Sequence, residues 1–226
     1  MLTKNSHMSY SDRQIIKTGI ENGVFQDVGV SISTIDLKRV VRRKMSKQKR
    51  NTYKPRKDNR YLIGRKYSDF LIYMEKNPDA KVIEMDTVYN DVSNGPFLQT
   101  FKFREYDLLI CIYQTVKDSL HMLDGILLLE EILGKEMFEK EVEVILTDRG
   151  SEFILAEEAE IREDGTRRTR MFYCDSMASW QKGSLENVHL LVREICPKGC
   201  DLHALGLTSQ EKANLISIHI NSYPIE

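Results

Sequence analysis

The 226-residue sequence predicts an α/β fold, a mixed sheet flanked by helices and preceded by a basic N-terminal arm. Three observations carry this. Three short apolar runs succeed one another between residues 81 and 113 with no helical pattern among them, and strands then alternate with 3.6-period segments. The hydrophobic fraction is 41%, enough for a core, while 30% of residues are charged and no apolar run approaches the ~18 residues a membrane helix needs. Finally, the net charge of −1 hides a strong segregation. Residues 38–66 hold 14 Lys and Arg against the single acid Asp58, a charge of +13, whereas residues 67–226 sum to −13.

Taken in order, Ser11-Asp12 can cap a short helix that Gly23 stops, and residues 36–50 can form a basic helix with Leu37, Val40, Val41 and Lys44 at helical spacing. Residues 50–62, with Pro55 and many charges, read as an extended linker. The texture changes at Gly64, which divides the chain into an arm and linker, 1–63, and a core, 64–226. Ser68 to Asn77 reads as a helix closed by Asn77-Pro78. Lys81–Val88, Pro96–Phe103 and Leu108–Tyr113 read as strands, the second preceded by an Asn94-Gly95 turn and the third apolar throughout, hence buried on both faces. Ser119–Leu133 is an amphipathic helix ending at Gly134. Glu143–Thr147 is a fourth strand and Arg170–Cys174 a fifth, separated by a charged stretch with a turn at Asp164-Gly165. Ser184–Ile195 and Thr208–Ile220 are helices ended by Pro197 and Pro224. This order, β-β-β-α-β-(insert)-β-α-α, matches the ribonuclease H-like plan of five strands and two core helices.

Three acids stand where such a sheet collects ligands, at strand ends. Asp86 closes the first strand, Asp148 follows the fourth, and Glu186 lies in the first turn of a helix. If the first and fourth strands are neighbours, the two aspartates converge. Converging carboxylates repel, and a divalent cation with oxygen ligands, Mg²⁺ or Mn²⁺, relieves that. The plainer alternative stays open: Asp after a strand is a common turn residue, and Ser184 as N-cap with Glu186 on the helix dipole explains the third acid without function.

Met85-Asp86-Thr87-Val88, Leu146-Thr147-Asp148-Arg149-Gly150-Ser151-Glu152-Phe153, Tyr173-Cys174-Asp175-Ser176 and Trp180-Gln181-Lys182-Gly183-Ser184-Leu185-Glu186-Asn187 occur in that order. The set resembles the DDE transposases of bacterial insertion sequences, in the branch named after insertion sequence thirty. Ile195-Cys196-Pro197-Lys198-Gly199 and His219-Ile220-Asn221-Ser222-Tyr223-Pro224 resemble it too, so the likeness covers roughly residues 60–226. The resemblance implies a ribonuclease H-like integrase catalytic core, with Asp86, Asp148 and Glu186 as catalytic and metal-binding triad. It implies DNA strand cleavage and strand transfer with two Mg²⁺ or Mn²⁺ ions about 3.5–4 Å apart. Asp86 would bridge both ions, with Asp148 on one and Glu186 on the other. DNA, as element ends and target, would be the partner of a homo-oligomer working in the cytoplasm on the bacterial nucleoid, with no membrane contact. The gaps between triad members are 61 and 37 residues, the second slightly long for the family, and residues 157–169 can absorb the excess as a surface hairpin.

Such transposases are usually longer and carry helix-turn-helix regions before the core. Residues 10–23 resemble the opening of the first such region and residues 23 onward the segment after a second, so an internal deletion and a short C-terminus are expected. That leaves a second reading: a catalytically idle DNA-binding remnant that forms mixed oligomers with a full-length enzyme. Backbone contacts to DNA would come from Arg39, Arg42, Arg43, Lys44 and Lys47 in the arm, with Arg149 and Lys182 beside the acids. Cys196, Cys200 and His203 offer three zinc ligands at most, and free thiols are the simpler reading. Cys111 is expected in the core. His189 lies one turn beyond Glu186 and can approach the site, and Trp180 can stack on a base or serve packing.

Overall fold

The three successive apolar runs have no crossover between them, so antiparallel pairing is open to them. The computed structural model, which describes residues 59–90 and 95–223, shows that pairing. The basic helix, the proposed arm contacts and Asn94 lie outside the described residues. Helix α1 (Tyr67–Lys76) precedes β1 (Val82–Val88), β2 (Phe97–Phe103) and β3 (Leu108–Gln114). Then come α2 (Ser119–Leu133), α3 (Lys135–Glu141), β4 (Val144–Thr147), α4 (Ala156–Glu160), β5 (Arg170–Tyr173), α5 (Gly183–Ile195) and α6 (Gln210–Asn221). The sheet has five strands in the order β3-β2-β1-β4-β5. β4 and β5 run parallel to β1, and the other two pairings are antiparallel. This is a ribonuclease H-like mixed sheet with helices on both faces.

Side-chain alternation divides the strands cleanly. Ile83 and Met85 of β1 join Phe101, Phe103 and Ile112 on one face, where α2 lays down Met122, Ile126 and Leu129 and α3 adds Phe138. On the other face Val88, Leu98, Leu109 and Cys111 meet Leu185, Val188 and Val192 of α5 and Ala213, Ile216 and Ile220 of α6. Phe70 of α1 packs with Val82, Val144, Leu146 and Phe172. The α2 ends are as the sequence indicates. The Asp118 side chain accepts the His121 N–H at 2.9 Å, and Gly134 takes the left-handed φ of +76° that a residue with Cβ resists. Beyond that stop the chain re-enters a helix, α3, for which residues 135–141 give no separate cap signal.

The third apolar run is the sheet's edge rather than an interior strand, and Leu108 is 36% exposed. An edge strand with free backbone groups invites mispairing. Here α6 covers it with side chains. Asn221 accepts the Leu109 N–H and donates to the Leu109 carbonyl, both at 2.8 Å. Ser217 accepts the Cys111 N–H at 2.9 Å, and Gln210 accepts the Tyr113 N–H while donating to the Cys111 carbonyl. Gln210, Ser217 and Asn221 lie on one helix face, matching the strand's two-residue repeat. Asn221→Ala, which orphans two backbone groups of Leu109, is expected to cost about 1–3 kcal/mol in urea unfolding. No change in midpoint would show that water replaces the amide at that edge.

The charged stretch 157–169 does form a turn, with Ile161 bridged to Arg167 and Asp164-Gly165 at the tip. It is also tied down more firmly than a surface hairpin. Glu130 of α2 accepts from Arg162 Nε at 2.7 Å and Arg168 Nε at 2.6 Å, and Arg168 adds bonds to the Glu158 and Ala159 carbonyls. Burial would raise the Glu130 carboxyl, but the two guanidiniums hold it below the usual glutamate value.

Candidate functional site

β1 and β4 are parallel neighbours with Glu84 opposite Leu146. Carrying that register two residues on sets Asp86 level with Asp148, the convergence expected from the sequence. Asp86 stays within β1, paired with Thr100 of β2, while Asp148 is the first residue past β4. Each carboxylate bends onto a backbone donor: Asp86 Oδ1 takes the Thr87 N–H and Asp148 Oδ1 the Gly150 N–H, both at 2.7 Å.

A buried ammonium stands with them. Lys182 is 3% exposed, and its Nζ lies 2.9 Å from Asp86 Oδ2 and 3.3 Å from the Met85 carbonyl. It comes from the single helical turn Ser179–Lys182 ahead of α5. Gln181 fixes that turn by accepting the Asp175 N–H and donating to the Asp175 carboxylate. Burial would raise Asp86, yet Lys182, His189 and the Thr87 amide prevail and its carboxyl ionises below the ordinary range. Asp148 moves the other way, raised by burial and by the Asp86 charge. Burial opposes the Lys182 charge, but the two aspartates hold its pKa above the usual lysine value.

Two further side chains reach the pair. His189 of α5 lies 2.9 Å from Thr100 Oγ1, which donates to the Asp86 carbonyl. Burial pushes the imidazole down to about 4, so it is neutral near pH 7. On the Asp148 side, Gly150 lies close under two carboxylates. A Cβ there would stand 2.6 Å from Glu152 Oε2 and 2.8 Å from Asp148 Oδ1. Glu152 is buried and pairs with Lys117 at 2.5 Å, and Lys117 sits 4.1 Å from the Tyr89 ring centre.

Glu186, the third acid, is placed otherwise. It is in the first turn of α5 as expected, but exposed, and among the described residues no group of three or more His, Cys, Asp or Glu is arranged to hold a metal ion. The Ser184 cap is not formed. Instead Glu84, buried in β1, accepts the Leu185 N–H at 2.6 Å, doing from another element what an N-cap side chain does, and Arg104 holds its other oxygen at 2.7 Å. Glu84 was legible as a site-facing residue, since it lies two residues before Asp86 on the same face of β1, but nothing in the sequence names its partner. Arg149 donates to the Cys174 carbonyl at 2.9 Å and to Asp175 at 2.7 Å, so it too is engaged within the chain. Cys111, Cys174, Cys196 and Cys200 are free, the first three buried, and burial pushes the Cys111 and Cys174 thiols up to about 12. Trp180 is 75% exposed beside the Lys182 turn.

The donors suit a hard divalent cation. Asp86 and Asp148 offer oxygen ligands only, and their charge is already compensated by a cation, Lys182. As they stand they supply two ligands for one ion, and a second ion would need another carboxylate.

No protein-family model matches the chain. Over 77 residues it is 35% identical to the transposase for insertion sequence element IS1086 of Cupriavidus metallidurans, a match covering 34% of this chain and 21% of that protein. Over that stretch the chain is similar to a transposase. Among solved structures, the magnesium-bound catalytic core of HTLV-2 integrase aligns with TM-score 0.34 and 16% identity, over 58% of this chain and 80% of that one. A chain of the simian T-cell lymphotropic virus intasome in complex with the PP2A regulatory subunit B56 gamma aligns with TM-score 0.44 and 12% identity, over 64% of this chain and 49% of that one. The matched stretch is about a fifth of the IS1086 transposase's length. No helix among the described residues is long and apolar enough to cross a membrane.

Proposed function

We propose that the chain is a polynucleotidyl transferase core that cuts DNA and joins the freed 3′ end to a second DNA, with Asp86, Asp148 and Glu186 as its catalytic carboxylates. The observation that carries this is the convergence of Asp86 and Asp148 at the ends of neighbouring parallel strands. The 35% identity to the IS1086 transposase supports it. Asp86 and Asp148 would hold Mg²⁺ or Mn²⁺, which when bound supplies charge to stabilise the attacking and leaving oxygens of an in-line displacement at phosphorus. The chain's own residues then do three things. Asp86 and Asp148 provide anionic oxygen at a fixed spacing, because both are anchored on backbone donors. The basic arm offers cations to phosphate, and Lys182 and Arg149 would add theirs on release from Asp86 and Asp175. Glu186, exposed in the first turn of α5, would join the pair only on DNA. The homo-oligomer on DNA and work at the nucleoid belong to the same proposal.

The exposed position of Glu186 favours a second reading, a chain that binds DNA without cutting it. Supercoiled plasmid carrying an element end separates the two. Mg²⁺-dependent nicking with 3′-hydroxyl ends and joined products supports the transferase, whereas retention of plasmid on a filter without nicking leaves the binding module.

A further inference from the structure

We infer that Lys182 is a tethered counter-ion that occupies the place of the divalent cation beside Asp86 and must leave before the ion binds. This rests on the metal-site reading above. The argument starts from burial. A lysine 3% exposed needs compensation, and its Nζ partners are Asp86 Oδ2 and the Met85 carbonyl, both β1 oxygens at the spot where a hard cation would sit. Two carboxylates sharing a low-dielectric pocket without a cation repel, and Lys182 supplies that cation within the chain. An ammonium has no acceptor lone pair, so it cannot remain between a carboxylate and a metal ion.

Its position in the chain makes departure simple. Lys182 is the last residue of a single helical turn that leads straight into α5. Glu186 is four positions further on, so the segment that withdraws the ammonium also carries the third carboxylate. The ammonium set free lies beside the reacting centre and is then available to a phosphate oxygen. Lys182 is therefore a positioning residue that holds the metal-free site together and exchanges its carboxylate for DNA when the ion arrives.

A competing internal cation scales the ion's apparent affinity down to the fraction of molecules in which the site is open. Mn²⁺ titration of the full chain by calorimetry, followed in parallel through the fluorescence of Trp180, its single tryptophan, reads that term directly. Lys182→Met is expected to bind Mn²⁺ about tenfold or more tightly than the unmodified chain, and to melt lower without the ion. Affinity equal to or weaker than that of the unmodified chain overturns the inference while leaving the metal site in place. Absence of Mn²⁺ binding in both chains removes the metal site and the inference together. A second measurement needs no variant. Amine acetylation mapped by mass spectrometry is expected to spare Lys182 without metal and to label it several-fold faster with saturating Mn²⁺. Exposed Lys140 serves as the reference whose rate stays constant. Protection of Lys182 unchanged at saturating Mn²⁺ overturns the inference.

Discussion

Asp86→Asn is expected to lower Mg²⁺-dependent nicking by about 10³-fold or more, a barrier increase of about 4 kcal/mol, with DNA affinity unchanged within experimental scatter. The reasoning runs through charge, not shape. Asn fills the same volume and keeps one oxygen, so the β1–β2 pairing opposite Thr100 and the Thr87 N–H contact persist. What is lost is the anion. Asp86 is the carboxylate whose acidity Lys182 enhances, and the one whose charge pushes the Asp148 carboxyl upward. Without it, Asp148 keeps a single buried ammonium for company and its own acidity should increase. The site then has one anion where an ion needs two. The same substitution leaves Lys182 without its 2.9 Å ionic partner, which is expected to cost about 1–3 kcal/mol in urea unfolding, the low end for a buried pair because Asp148 remains near. The double variant Asp86→Asn/Lys182→Met should recover part of that loss, since it removes the orphaned charge. Nicking by Asp86→Asn at a tenth of the unmodified rate or better would sink the assignment of Asp86.

The residues behind that prediction show what the sequence could tell and what it could not. Period-2 alternation in β1 and β2 and the 3.6-period run in α2 depend only on near neighbours, so the strands and long helices fall where the pattern puts them. The meeting of Asp86 and Asp148 was equally legible, because it needs only that β1 and β4 be parallel neighbours. The rest is set by contacts distant in the chain. The apolar run at 108–113 looks like an interior strand because α6 covers it, a hundred residues later, with Gln210, Ser217 and Asn221. Residues 157–169 look like a surface hairpin until Glu130 is found between Arg162 and Arg168. Ser184 looks like an N-cap because it is the nearest hydroxyl, and no local rule announces that a carboxylate from β1 takes that place.

That carboxylate gives the largest expected effect on stability. Glu84→Ala is expected to destabilise the chain by about 3–5 kcal/mol. Glu84 is 1% exposed and joins three elements: β1, which carries it, α5 through the Leu185 N–H at 2.6 Å, and Arg104, just past β2, at 2.7 Å. Its carboxylate faces the positive end of the α5 dipole, a favourable placement for an acidic side chain. Alanine removes the acceptor from a buried N–H and the counter-charge from a half-buried guanidinium, and neither finds a replacement in the apolar contact between β1 and α5. Glu84→Gln keeps an oxygen for Leu185 and gives up only the charge, so its cost should be about 1–2 kcal/mol. That milder variant isolates the functional role. Leu185 and Glu186 are consecutive in the first turn of α5, and Lys182 lies just ahead of them. Loosening the turn displaces the third carboxylate and the internal ammonium together. Nicking by Glu84→Gln should therefore fall about tenfold at a temperature where the chain is fully folded, with DNA affinity retained. Urea unfolding within 1 kcal/mol of the unmodified chain for Glu84→Ala, or undiminished nicking by Glu84→Gln, would show that α5 is held by its apolar face alone and that Glu84 positions nothing.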